Sequence, residues 1–295
     1  MTINPFGRVL TAMVTPMSPD GEVDEKGTDS LVDHLLDTGH DGIVVNGTTG
    51  EASTLTDDES IATIRRVRER AGDRATVVAG VGSNDTRHAV HMAQRAAEVG
   101  ADALLLVSPY YNKPTQAGLV AHCRAVADAT ELPVMLYDIP GRTGIPFQHD
   151  TLVALAEHPR ILAVKDAKGD LAAATRGLAD TDLLWFSGED ALTLPLLAIG
   201  AVGTVSVVGH VAGREYRAMV EAVDRGDLAE ARRLNAALLP VVDAIMSPSQ
   251  GAIMAKAALV ELGVIESAAV RLPLVESPPE HLEALRAALA TLPTR

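Results

Sequence analysis

The strongest constraint on how this chain folds is a rhythm. From residue 8 onward, short apolar runs alternate with amphipathic stretches of about 10 to 15 residues, as expected of βα units around a parallel sheet. Eight runs stand out: Val9 to Val14, Gly42 to Val45, Thr76 to Ala79, Ala103 to Val107, Pro133 to Tyr137, Ile161 to Lys165, Leu183 to Ser187 and Gly203 to Val207. All are short and apolar, as strands covered on both faces must be. Between them run helical patterns. In Asp57 to Ala71, Ile61, Ile64 and Val67 recur at helical spacing, and Asp85 to Glu98 opens on a candidate N-cap at Asn84.

Eight such units in about 200 residues fit a (β/α)8 TIM barrel better than an open sheet. An open doubly wound sheet would carry a glycine-rich nucleotide turn after its first strand, whereas the first strand here runs into TPMSPDG. After residue 225 the strands stop. Leu228 to Ser247, Ala252 to Leu262 and Pro279 to Leu292 read as helices set apart by proline and glycine. The expected organisation is an α/β fold with a catalytic barrel over residues 1–225 and a C-terminal helical region over residues 226–295.

Charge and composition remove several function classes. Lys+Arg 25 against Asp+Glu 39 leaves a net charge of −14, which repels a phosphate backbone, so no nucleic-acid partner is expected. The start MTINPFGRVL lacks the apolar run of a signal peptide, and no stretch of about 18 apolar residues could span a bilayer. A cytoplasmic protein with no membrane partner is the expectation. The single cysteine, Cys123, lies among apolar neighbours in the helical stretch Gln116 to Ala129 and reads as a buried structural thiol. His88 and His91 sit three apart without a third ligand at metal-enzyme spacing, so no metal is expected.

In a barrel of this kind, reactive groups gather where strands end. Lys165 ends the run ILAVK, which puts its amine in the barrel mouth and its stem among Val and Leu. Desolvation and nearby cations favour the neutral amine, the form that attacks a ketone to give a Schiff base. The bland alternative is a lysine whose head reaches solvent at a strand end. Lys168 lies past the strand and is the poorer candidate. Tyr137 ends the preceding strand, PVMLY, and so stands beside Lys165, where a phenol can move the protons of carbinolamine formation, dehydration and enamine attack. An aromatic that merely packs the mouth is the rival. Of the 4 tyrosines, Tyr110, Tyr111 and Tyr137 fall at strand ends and Tyr216 falls in a helix.

The segment GTTGE, residues 47–51, follows the second strand, and its backbone N–H groups can form a nest for a carboxylate. A purely structural βα turn could have the same composition. Arg142, in IPGRTG, offers a planar fork for a second carboxylate, with a surface arginine as the alternative.

With GTTGE, SPYYNKPTQAGL, LYDIPGRTG, VKDAKGD and SGEDALTLPLLAIGAVGTVSV in this order, the chain resembles the dihydrodipicolinate synthases of the pyruvate-dependent class I aldolase superfamily. The likeness runs from VLTAMVTPM to SVV, nearly the whole barrel, with five motifs in register with strand ends. The GTTGE form, the YYNKPT tyrosine pair and the arginine after the tyrosine strand favour this branch over sialic acid or sugar-acid aldolases. The resemblance implies a lyase that condenses pyruvate with L-aspartate 4-semialdehyde on the diaminopimelate route to lysine, without metal or organic cofactor. It implies Lys165 as the Schiff-base lysine and Tyr137 as proton donor and acceptor. Thr48 and Tyr111 would complete a hydroxyl relay, Tyr111 reaching in from a neighbouring subunit. Thr49 and the Thr48 backbone would bind the pyruvate carboxylate, with Val205 adding a main-chain contact and Gly188 lining the same substrate site. Arg142 would hold the semialdehyde carboxylate. Tyr110 would stack across a tight-dimer interface, in a homo-oligomer that is by default a dimer of dimers.

Three departures from the family pattern are visible. Asp138 stands where many relatives have Asn, and an acid there could pair with Arg142. His88 occupies the place of a glutamate in lysine-inhibited relatives, which implies weak or absent inhibition by L-lysine, because the inhibitor's ammonium loses an ion-pair partner. The segment VVGHVAG differs from the ANVAA-like form and leaves His210 without an assigned role. Two rival functions are a retro-aldolase for a keto-deoxy sugar acid or sialic acid, and a non-catalytic keto-acid-binding barrel. Arg142 argues against the first, since sugar aldehydes lack a second carboxylate. The joint presence of Lys165, Tyr137, Thr48 and Tyr111 argues against the second.

Overall fold

A computed structural model describes residues 4–292. Its strands are β1 Val9–Ala12, β2 Gly42–Val45, β3 Thr76–Gly80, β4 Ala103–Val107, β5 Val134–Asp138, β6 Ile161–Asp166, β7 Leu184–Ser187 and β8 Gly203–Ser206. Each pairs in parallel with its neighbours in chain order, and β8 closes on β1 to complete a barrel. Every expected strand is present, Gly42–Val45 and Ala103–Val107 with the expected bounds and the others with ends displaced by at most one residue, except at β1, which stops two residues early. The reason is local. The Val14 N–H, which would extend the ladder, donates to His210 Nε2 at 3.0 Å instead.

The twofold alternation of the strands sorts side chains into two cores. Leu10, Ala12, Met135, Tyr137, Ala163, Phe186 and Val205 point into the barrel, while Leu136 and Val164 pack outward against the helices. Phe6, just ahead of β1, meets Phe186 edge-on with ring centroids 6.1 Å apart. Burying each such large side chain stabilises the fold by about 1.5 to 3 kcal/mol. The same alternation carries Lys165 inward, two residues beyond Ala163.

Helix ends follow capping chemistry. Asp57–Ala71 starts on a capping box formed by Thr56 and Glu59. The next helix is Thr86–Glu98, and its N-cap is Asp85 rather than the expected Asn84: the Asp85 carboxylate accepts from the Arg87 N–H at 3.0 Å. The two residues cap equally well, so spacing alone could not choose between them. Cys123 is buried, and desolvation pushes its thiol above the ordinary range.

Beyond β8 and the helix Gly209–Asp224 come Leu228–Met246, Gly251–Glu261 and Pro279–Leu289. Leu238, Ile245, Met254 and Leu259 join the same apolar cluster as Val14 and Val208 of the barrel. Gly251–Glu261 is buried from Gly251 to Leu259, as a helix apolar on all sides must be. No single helix among the described residues is long and apolar enough to cross a membrane.

Candidate active site

The register of the sheet pairs Tyr137 of β5 directly with Lys165 of β6. The Lys165 Nζ lies 4.2 Å from the centroid of the Tyr137 ring. Both side chains are buried, Lys165 to 4% exposure. No hydrogen bond or ion pair reaches the Lys165 amine among the described residues. Burial therefore dominates and lowers its pKa to about 8, against the pull of Asp190 and Glu189 and with Arg142 assisting. Burial also pushes the Tyr137 phenol up to about 12, against the Arg142 charge and a hydrogen bond with the Thr48 side chain. A lysine that sheds its proton readily thus faces a phenol that keeps its own.

Thr48–Gly50 folds into a single 3₁₀ turn after β2, which brings the Thr48 side chain to the cavity that Tyr137 also lines. Thr49 is buried beside it, and the Thr15 hydroxyl donates to the Gly50 carbonyl at 2.7 Å. A cavity of about 320 Å³ adjoins the turn, lined by Thr48, Tyr137, Arg142, Ser83, His88 and Tyr110 among others. Lys165 does not line this cavity itself. Its amine lies over the Tyr137 ring.

Arg142 lies in the short helix Pro140–Thr143 directly after β5, exposed at the rim, and its guanidinium makes no hydrogen bond among the described residues. Gly188 follows β7, where a Cβ would come within 2.8 Å of Lys165 Cγ, so only glycine leaves the lysine stem its room. Val205 of β8 is buried in the inner core with Tyr137. Two acids absent from the sequence expectations belong to the same neighbourhood. Glu189 is half-buried, and its carboxyl is raised by burial and by Asp190, with Arg142 and Lys165 opposing. Asp190 is buried and accepts from Ser206 Oγ and from the Val207 N–H at 3.0 Å, which fixes the turn after β8. The signal for both was the position of SGED at a strand end.

The family model for the dihydrodipicolinate synthetase family matches residues 5–292. The chain belongs to this family. A 4-hydroxy-tetrahydrodipicolinate synthase of Kineococcus radiotolerans is 54% identical over 288 residues, covering 98% of this chain and 94% of that protein. A dihydrodipicolinate synthase from Bacillus anthracis has the same fold, with a TM-score of 0.94 and 42% identity over 98% of this chain and 99% of that one. Another from Cyanidioschyzon merolae, solved with lysine bound, gives a TM-score of 0.94 and 44% identity over 97% of this chain and 98% of that one. The activity is accordingly that of the family, a 4-hydroxy-tetrahydrodipicolinate synthase and hence a lyase of lysine biosynthesis.

The three departures from the family pattern acquire physical accounts. Asp138 does not pair with Arg142: its carboxylate lies 3.3 Å from Lys168 Nζ and accepts from the Phe147 N–H at 3.2 Å. Burial raises it to about 6 despite Lys168. His88 stands 3.0 Å from the Asp57 carboxylate, so the acid nearest the position expected to hold a glutamate in lysine-inhibited relatives is already engaged. His210 is buried and structural. Its Nδ1 donates to the Val207 carbonyl at 2.7 Å, its Nε2 accepts from Val14, and burial lowers its pKa to about 3, so it ties β8 to β1 as a neutral ring.

Tyr111 does not line the cavity beside Tyr137. It is 88% exposed and sits at φ 73°, in the left-handed region that a bulky residue rarely occupies. Its neighbour Tyr110 is 40% exposed.

Proposed function

We propose that Lys165 holds pyruvate as a Schiff base and that the chain condenses it with L-aspartate 4-semialdehyde. The observation that carries this reading is a buried amine, lowered to about 8, packed 4.2 Å from the ring of Tyr137 on the adjacent strand. The neutral Lys165 Nζ attacks the keto carbon of pyruvate, and the carbinolamine loses water to give the imine. Removal of a methyl proton gives the enamine, whose carbon attacks the aldehyde of the second substrate. The amino group of the adduct then attacks the imine carbon, closes the ring and expels the lysine. Tyr137, held protonated by burial, donates and recovers protons along this path, with Thr48 as its next hydroxyl. Thr49 and the Thr48 backbone bind the pyruvate carboxylate, Val205 and Gly188 shape the same pocket, and Arg142 takes the carboxylate of the semialdehyde.

Borohydride reduction in the presence of pyruvate tests the mechanism. Peptide mapping should find the pyruvate-derived adduct on Lys165, and an enzyme that turns over yet carries no label there would overturn it.

Tyr111 supports a second part of the reading. An exposed, conformationally strained aromatic at a site rim fits a residue completed by another copy of the chain, with Tyr110 stacking at the same contact. We therefore propose a homo-oligomer built on a tight dimer, a dimer of dimers by default, working in the cytoplasm without metal or organic cofactor. Residues 226–295 act in it as a helical appendage of a barrel formed by residues 1–225. Sedimentation of the active enzyme should show no monomer at assay concentration; a monomer with full turnover would remove Tyr111 from the relay.

A further inference from the structure

The Thr48–Gly50 turn is not held by the barrel alone. Glu51 ends it at φ 57°, one of four non-glycine residues with positive φ among those described, and a backbone of this kind persists only where its surroundings enforce it. The enforcement comes from the far end of the chain. The Glu51 carboxylate is buried to 3% exposure, ion-pairs with Lys256 Nζ through Oε1, and accepts the Arg271 N–H at 2.9 Å through Oε2. Lys256 is fully buried on the helix Gly251–Glu261 and donates again to the Ala269 carbonyl at 2.7 Å. From the start of the same helix, Gln250 Nε2 donates to the Thr48 carbonyl at 3.3 Å. The turn is thus suspended between Thr15 on the β1 side and a cluster of residues lying beyond the last strand.

A buried ion pair is a poor device for stability alone, because an apolar pair of equal volume often serves as well. What it does supply is a fixed distance and direction. We propose that Glu51 and Lys256 are positioning residues for the reaction: their pair locks the Glu51 backbone and so aims the Thr48 hydroxyl at Tyr137. The C-terminal helical region then takes part in proton transfer without touching substrate. This rests on the roles given above to Thr48 and Tyr137.

The test is a double-mutant cycle against Thr48→Val. The paired variant Glu51→Gln/Lys256→Met removes both charges together and keeps the volume, and Gln250→Ala removes one hydrogen bond on the turn without altering charge. In the native background, kcat should fall about tenfold for the paired variant, and less for Gln250→Ala, while borohydride trapping of pyruvate on Lys165 continues. In the Thr48→Val background, neither change should lower kcat further, since the group being aimed is gone. A paired variant with native kcat, or an equal fractional loss in both backgrounds, would overturn the proposal. If the paired variant does not fold, Gln250→Ala decides by the same criterion. Should Thr48→Val itself leave kcat unchanged, the relay reading fails first and the positioning role with it.

Discussion

Two lysines are buried among the described residues, and they behave as opposites. Lys165 at the end of β6 is 4% exposed and Lys256 on the helix Gly251–Glu261 is 0% exposed. Desolvation lowers the pKa of both. Lys256, however, has the Glu51 carboxylate and the Ala269 carbonyl in direct contact, and Glu51 pulls its pKa back up. Lys165 has no such partner, only acids farther off and the opposing Arg142. Burial alone therefore does not make a lysine reactive; burial without a counter-charge does. The barrel mouth supplies that condition by surrounding Lys165 with Tyr137, Val205 and the space left by Gly188.

The largest expected effect comes from making one substitution at both positions. Lys165→Met should abolish condensation, because no other amine lies at that place on the sheet. It should also raise the stability at neutral pH, by on the order of 1 to 3 kcal/mol, since it removes a charge that folding desolvates without a partner. Lys256→Met should do the reverse to stability and lower it by roughly 3 to 5 kcal/mol, because Glu51 is left charged and buried. Adding Glu51→Gln should recover most of that loss. Thermal melts of the variants at pH 7 give the comparison directly, and a change of the same sign at both lysines would break it.

How much of this contrast was legible beforehand differs between the two sites. Lys165 could be read because strand periodicity places it: the run ILAVK ends on it, and alternation with Ala163 and Tyr137 puts all three on the inner face. The barrel was legible for the same reason, since eight apolar runs at regular spacing leave few alternatives. Lys256 could not be read. It lies in GAIMAKAALVE, where one charge in an apolar helix suggests a residue facing solvent, and only the packing of that helix between barrel and tail buries it. Its partner Glu51 is 205 residues away, beyond the reach of any local pattern. Glu189 and Asp190 fall between these cases: their place at a strand end was visible, but their effect on Lys165 depends on burial. Asp138 shows the limit for charges: the expected partner Arg142 is four residues away and the observed partner Lys168 thirty, so the fold and not sequence distance chooses between them.

The smallest effect is the sharpest test of the difference between the lysines. With a pKa of about 8, only about a tenth of the free enzyme carries a neutral Lys165 at pH 7. The kcat/KM for pyruvate should therefore climb close to tenfold per pH unit below 8 and level off above it. Stability should follow the same group with a defined sign. An unfolded lysine titrates near 10.4, so between about 8 and 10.4 the unfolded chain binds more protons than the folded one, and stability gains from rising pH across that window. Lys165→Met should remove this gain, whereas Gln250→Ala, which leaves both lysines intact, should retain it. A pyruvate profile that stays flat from pH 6 to 9 would mean that burial without a partner does not free the Lys165 amine, and the distinction drawn between the two lysines from their partners would fail.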